Sequence, residues 1–244
     1  MGKKTFKEKF KRFELKYVIS KQLLTQLQQE LKPYVVADEY ATSTISNLYY
    51  DTDDFRIIRE SLEKPNYKEK LRVRSYEAIP TKESQAFIEI KKKFQKVVYK
   101  RRITASVEQA AMYLAGDNKI IADSQIKEEI NWLIDRHNEL KPKMYIYYDR
   151  YSMKGIEDPN VRITIDHNLL YRDYDLRLDS GVYGEHLLDP DYVIMEIKIP
   201  GAFPLWLSEL LTKYSVYKSS FSKYGTAYQK VKVLGGKEYV QSVI

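Results

Sequence analysis

Lys68-Glu69-Lys70-Leu71-Arg72-Val73-Arg74 is the stretch on which the fold turns. Successive side chains of a strand point to opposite faces, so Lys68, Lys70, Arg72 and Arg74 share one face, with Leu71 and Val73 on the other. Four cations in succession repel one another on an ordinary solvated face, where mixed polar residues are the rule. The pattern recurs along the chain. Phe87 to Lys93 puts Glu89, Lys91 and Lys93 opposite Ile88 and Ile90. Val161 to Asp166 alternates Arg162, Thr164 and Asp166 with Val161, Ile163 and Ile165. Val193 to Lys198 sets Glu196 and Lys198 against Met195 and Ile197. Phe13 to Ile19 sets Glu14 and Lys16 against Phe13, Leu15 and Tyr17, and Met144 to Arg150 brings Tyr148 and Arg150 to one side.

Between these strands lie four helical stretches with an apolar stripe and a start signal. Ser20 precedes Leu23, Leu24, Leu27 and Leu31, and Pro33 closes that helix. Ser106 with Gln109 forms a capping box, and Gly116 follows its end. Ser124 opens a third helix and Pro204 a fourth. Such helices need an apolar sheet face to cover, which turns the charged faces toward one another. The expectation is an α+β fold built on a closed antiparallel β-barrel with flanking helices, because interior and exterior residues alternate along every barrel strand. The 244 residues suit one domain, with a basic tail over residues 1–12.

The expected inward set is Lys16, Lys68, Lys70, Arg72, Arg74, Lys91, Lys93, Arg150, Arg162 and Lys198 against Glu14, Glu89, Asp166 and Glu196. Burying unpaired ions costs several kcal/mol each, so the interior should be open to solvent and filled by a ligand dense in negative charge. A chain of phosphates fits, held bidentately by Arg and as point charges by Lys. Among the minority acids, Glu196 and Glu14, with Glu89 as a third candidate, suit Mn²⁺ or Mg²⁺, which use few carboxylates together with phosphate oxygens. The competing reading of Glu196 is an ion pair with Lys198 or a facing Arg.

Composition narrows the classes further. There is no Cys, which excludes disulfides, thiolate metal sites and a Cys nucleophile, and fits a reducing compartment, with a cytoplasmic location expected. His137, His167 and His186 lack metal-ligand spacing. No apolar run reaches about 18 residues, so no membrane segment is expected in the chain itself. The net charge of +7 favours a polyanionic partner. Nucleic acid is disfavoured, since the cations share strand faces with carboxylates and no base-stacking motif is recognisable. No P-loop and no G-x-G-x-x-G is present.

The stretch YYDTDDFRIIRESLEKPNYKEKLRVRSY (Tyr49 to Tyr76), followed by IEIKKK, YYDR, VRITID, VIMEIK and FSKYGTAY, resembles the VTC domain, the polyphosphate polymerase branch of the triphosphate tunnel metalloenzymes. The resemblance runs from Phe13 to about Tyr228. It implies an antiparallel tunnel of about eight strands that transfers the γ-phosphate of ATP onto polyphosphate with Mn²⁺ or Mg²⁺. By motif, Lys16, Arg72, Arg74, Lys91, Arg150 and Arg162 would hold phosphates, the four Arg serving catalysis, and Glu196, with Glu14, the metal. Ser222 and Lys223 would complete the grip. Lys70, Lys93 and Lys198 join the phosphate set from their strand faces. The hydrolytic tunnel enzymes carry E-x-E-x-K on the first strand, whereas Arg12, Glu14 and Lys16 stand here; the lost carboxylate leans the reading from triphosphatase toward polymerase. Ser220 stands where eukaryotic members have a Lys. A metal-dependent triphosphatase and a non-catalytic module for polyphosphate or inositol polyphosphates are the alternatives. Any coupling to translocation would require a separate membrane-protein partner.

Overall fold

The computed structural model describes residues 12–95 and 97–234, with backbone alone for Arg12, Val233 and Leu234. The basic stretch before Arg12 therefore lies outside the described residues. The fold is α+β, with six α-helices and one antiparallel sheet of nine strands among the described residues. In chain order the strands are β1 (Arg12–Ser20), β2 (Val35–Asp51), β3 (Tyr67–Ser75), β4 (Gln85–Phe94), β5 (Val97–Ser106), β6 (Lys141–Gly155), β7 (Arg162–Arg172), β8 (Glu185–His186) and β9 (Tyr192–Pro200). The helices are α1 (Lys21–Leu31), α2 (Arg56–Leu62), α3 (Val107–Leu114), α4 (Gln125–His137), α5 (Leu205–Lys213) and α6 (Lys223–Leu234).

Hydrogen-bonded neighbours follow the order β1-β9-β7-β6-β2-β3-β4-β5, with β8 on β7. Alternation leads one to expect a closed barrel, yet no ladder joins β1 to β5 among the described residues. The physical reason is that alternation reports which face a side chain takes and carries no information on whether two edge strands pair. No helix among the described residues is long and apolar enough to cross a membrane.

The chain packs as two compact units, each assembled from separated segments. The first comprises residues 1–42, 150–167 and 190–221. Here α1 and α5 bring Leu27, Leu31, Leu207, Leu210 and Leu211 onto Tyr17, Ile163, Ile165, Met195 and Ile197 of β1, β7 and β9. Ser20 caps α1 through Leu23 N at 3.1 Å, as its position predicts. The second unit comprises residues 43–149, 168–189 and 222–244. Its core joins Leu48, Leu71, Val73, Ile88 and Ile90 of the sheet to Ala110, Tyr113, Ile130 and Leu133 of α3 and α4. The Ser106 and Gln109 capping box is formed in both directions, and Ser124 caps α4.

Helix α2 lacks a local start signal. At α2 the preceding residue, Phe55, adopts a left-handed conformation and caps nothing. Asp51, fully buried at the end of β2, supplies the cap instead: its carboxylate accepts from Thr52 N and Ile57 N at 2.8 Å and from Ile58 N at 3.0 Å. Tyr224 of α6 donates its hydroxyl to the same carboxylate at 2.8 Å. One acid thus fastens α2 and α6 to β2, favoured by the partial positive charge of a helix N-terminus. Helix α6 approaches closely enough that a Cβ on Gly225 would stand 2.9 Å from Leu62 Cδ2. Asp51→Ala, which orphans three amides and a buried phenol, is expected to cost about 3 kcal/mol in urea unfolding; a loss under about 1 kcal/mol would contradict this role.

Candidate phosphate-binding site

Within the second unit, β3 pairs with β4 so that Lys68 faces Lys93, Lys70 faces Lys91 and Arg72 faces Glu89. Strand β5 then places Arg102 beside Glu89 and Lys100 beside Lys91, and β2 places Tyr49 beside Arg72 and Asn47 beside Arg74. Alternation puts all of these on the face opposite the apolar core. Among the described residues of β3, β4 and β5, Glu89 is the one carboxylate on that face.

Glu89 is 1% exposed. Its Oε2 accepts from Arg72 Nε at 2.9 Å and lies 2.7 Å from Arg72 Nη2, with Arg74 Nε at 3.8 Å. Lys100 Nζ stands 2.7 Å from Oε1 in an ion pair. Burial alone would push this carboxyl up, but Arg72, then Arg74 and Lys100, outweigh it and hold the group down at about 2. Glu89 is therefore the anchor of the cations.

The remaining bonds orient the guanidinium groups. Arg72 Nη1 donates to Tyr49 Oη at 3.0 Å. Arg74 Nε donates to Asn47 Oδ1 at 2.9 Å, and Asn47, wholly buried, is itself held by donating to the Ile146 carbonyl at 3.0 Å. Arg74 Nη2 reaches Tyr148 Oη at 3.3 Å. Tyr49 stacks on Tyr224 with ring centroids 4.6 Å apart. Burial alone would raise the Tyr49 phenol, but Arg72, Arg74 and Lys70 prevail and bring it down to about 8. A phenol so affected reports a field of positive charge. Lys68 is lowered first by burial and then by Lys93 across the ladder.

Ser222 and helix α6 add the SKYG residues to this unit. Ser222 Oγ accepts from Gly225 N at 3.2 Å, the helix cap its type predicts, and also takes Lys70 Nζ at 3.4 Å. Lys223 Nζ lies 4.3 Å over the Tyr148 ring. Lys70, Arg72, Arg74, Lys91, Lys93, Ser222 and Lys223 of the expected phosphate set thus belong to one unit. Lys100, Arg102, Tyr49 and Asn47 were not legible as members. In Lys100-Arg101-Arg102 both faces are charged, and Arg101 pairs with Glu129 of α4 at 3.3 Å, so no alternation marks the face.

The first unit holds Lys16, Arg150, Arg162, Lys198, Glu14 and Glu196. Here charges are matched. Lys198 Nζ stands 2.7 Å from Glu196 Oε1, and Lys16 Nζ lies 3.9 Å from Glu196 Oε2 and 3.6 Å from Glu14. Arg150 grips the fully buried Asp166 bidentately, Nε at 2.6 Å and Nη2 at 2.8 Å. Arg162, 57% exposed, pairs with Asp38 at 3.4 Å. Burial alone would raise the Glu196 carboxyl; Lys198, Lys16 and Arg150 instead hold it at about 2. The neighbour of Glu196 across the ladder, Thr164, keeps a buried hydroxyl oxygen without a hydrogen-bond partner.

No group of three acidic or imidazole side chains able to hold a metal occurs among the described residues. Glu196, Glu14 and the unpartnered Thr164 oxygen form an all-oxygen donor set, which fits a hard divalent cation completed by phosphate or water oxygens rather than a closed protein cage. His137, buried against Glu69 at 3.3 Å, takes no part.

The depressed carboxyls set a pH dependence. A carboxyl lowered in the folded state stabilises it above the unfolded value and loses that contribution as pH falls through the folded one. Glu89 should contribute roughly 3 kcal/mol at pH 7. Urea unfolding of Glu89→Gln is therefore expected to fall below wild type by that amount at neutral pH, with the gap closing from about pH 5 to about pH 2; a gap independent of pH would refute the assignment.

Comparison with known proteins follows this geometry. A solved candidate adenylate cyclase from Bacillus halodurans is 18% identical, over 86% of this chain and 92% of that one, with a TM-score of 0.53. At that identity the likeness concerns the fold alone. A candidate adenylate cyclase from Vibrio parahaemolyticus is 11% identical over 89% of this chain and 97% of its own, with a TM-score of 0.47. A protein from Pyrococcus horikoshii is 12% identical over 90% and 99%, with a TM-score of 0.45. No curated protein sequence matches the chain. The family model of the VTC domain matches residues 11–232, and the protein belongs to the VTC domain family.

Proposed function

We propose that the protein is a polyphosphate polymerase, which transfers the γ-phosphate of ATP onto a polyphosphate chain. The observation that carries this reading is the charged face of β3 to β5, where, among the described residues, one buried acid, Glu89, stands among a larger set of cations. Family membership supports phosphate as the ligand chemistry. Arg72 and Arg74 are pre-oriented by Glu89 and Asn47, so their guanidinium edges meet phosphoryl oxygens with little rearrangement. Lys70, Lys91, Lys93 and Lys100 add point charges along the chain.

In the reaction a terminal oxygen of the polyphosphate forms a bond to the γ-phosphorus while the bond from that phosphorus to the β-phosphate oxygen breaks, and ADP leaves. Phosphoryl transfer asks chiefly for in-line positioning and neutralised oxygens, which cations supply without a protein nucleophile. Mn²⁺ or Mg²⁺, when bound, neutralises charge on the phosphoryl oxygens. Glu196 with Glu14 would hold it. Lys16 and Lys198 beside those acids, and Arg150 and Arg162 through their pairs with Asp166 and Asp38, are the phosphate ligands proposed for the first unit.

The test is incubation with ATP and Mn²⁺ followed by gel sizing of the product. Chain growth is expected in the wild type. Arg72→Ala should lower it at least about a hundredfold with the fold retained, and Glu196→Gln should remove the metal dependence while polyphosphate binding persists. Release of orthophosphate from tripolyphosphate without growth would identify a triphosphatase. Tight binding without turnover would identify a sensor module.

A further inference from the structure

The β4 and β5 hairpin carries a feature that phosphate binding does not use. Its tip exposes four large apolar side chains: Phe94 at 48%, Val97 at 52%, Val98 at 50% and Tyr99 at 53%. Phe94 faces Val97 across the ladder and Tyr99 faces Lys92, so these three lie on the face that α4 covers farther along. That cover is pinned where Lys92 and Arg101 meet Glu129 at 3.1 and 3.3 Å. Val98 occupies the opposite face beside Lys93.

Gln95 takes the left-handed conformation of a tight turn, φ 45°, and its amide donates to the Asn66 carbonyl at 3.0 Å. Exposed large apolar side chains gathered at one tip mark a contact site. The sequence beside it is basic, Lys91, Lys92, Lys93 and Lys96 before Lys100 and Arg101. Strand β5 also ends the hydrogen-bonded order of the sheet.

We infer that this hairpin tip is a membrane-contact wedge for a bilayer containing anionic lipid. Phe94, Val97, Val98 and Tyr99 enter the headgroup and acyl boundary, while Lys91, Lys92 and Lys93 of β4 stay at the level of the lipid phosphates. The two components answer different parts of a lipid surface, since apolar side chains gain from the acyl boundary and each nearby cation gains from the negative surface potential. A second copy of the chain is disfavoured as occupant by the repulsion of like basic tips. A free polyphosphate satisfies the Lys and leaves the apolar residues in water.

Cosedimentation with vesicles tests this. The full chain is mixed with phosphatidylcholine vesicles with and without phosphatidylglycerol, at low and high salt. Binding is expected with the anionic vesicles and should weaken with salt. Phe94→Ser/Val97→Ser should lower the partition coefficient about tenfold while circular dichroism and tripolyphosphate binding remain as in wild type. If the double variant loses its fold, Phe94→Ser alone should still give about a threefold drop. Wild type remaining in the supernatant, or apolar variants binding as well as wild type, would overturn the inference. So would variants that change the oligomeric mass or the retention of RNA without changing vesicle binding.

Discussion

A single buried carboxylate constrains the charged half of this protein. Glu89 meets Arg72 through two nitrogens, Lys100 through a third contact and Arg74 at longer range. Removing an acid from such a setting leaves buried cations facing one another, whose mutual repulsion in a medium of low dielectric is severe. The acid also sets direction, because Arg72 held at Nε and Nη2 can turn only its remaining edge outward. Tyr49, Asn47 and Tyr148 complete the arrangement with neutral oxygens, which orient cations without cancelling their charge.

The two units treat their charge differently. In the first unit Lys16, Lys198, Arg150 and Arg162 each have a carboxylate within 4 Å. In the second, Glu89 stands among a cationic excess, and the neighbouring Tyr49 phenol is lowered against its burial by Arg72, Arg74 and Lys70. Surplus of this kind persists only beside water or an anionic ligand. Membership of the VTC domain family supports phosphate as the ligand proposed for this sheet face.

Legibility in the sequence followed the range of the underlying physics. Helices α1, α3 and α4 announce themselves through Ser20, Ser106 and Ser124, whose caps act within three residues. Pro204 marks α5 in the same local way. Helix α2 was silent because its cap, Asp51, lies six and seven residues from the amides it satisfies. Helix α6 has a local cap in Ser222, while its seat on Asp51 through Tyr224 spans 173 residues. The faces of β1, β3, β4, β7 and β9 were readable from period-two alternation. Strand β5 was not, since Lys100 serves Glu89 while Arg101 serves Glu129 on the other side. Ladder closure and the division into two units depend on which distant edges and segments meet, information that alternation does not contain.

The most direct measurement of the central claim is the titration of Tyr49, read as the ultraviolet difference between wild type and Tyr49→Phe. Its phenol lies against Arg72 and ionises at about 8 under the cationic field. Tripolyphosphate bound on this face adds negative charge and should move the midpoint upward by about one unit or more. A midpoint near 8 that stays unmoved at saturating tripolyphosphate would contradict the assignment of this face as the phosphate site.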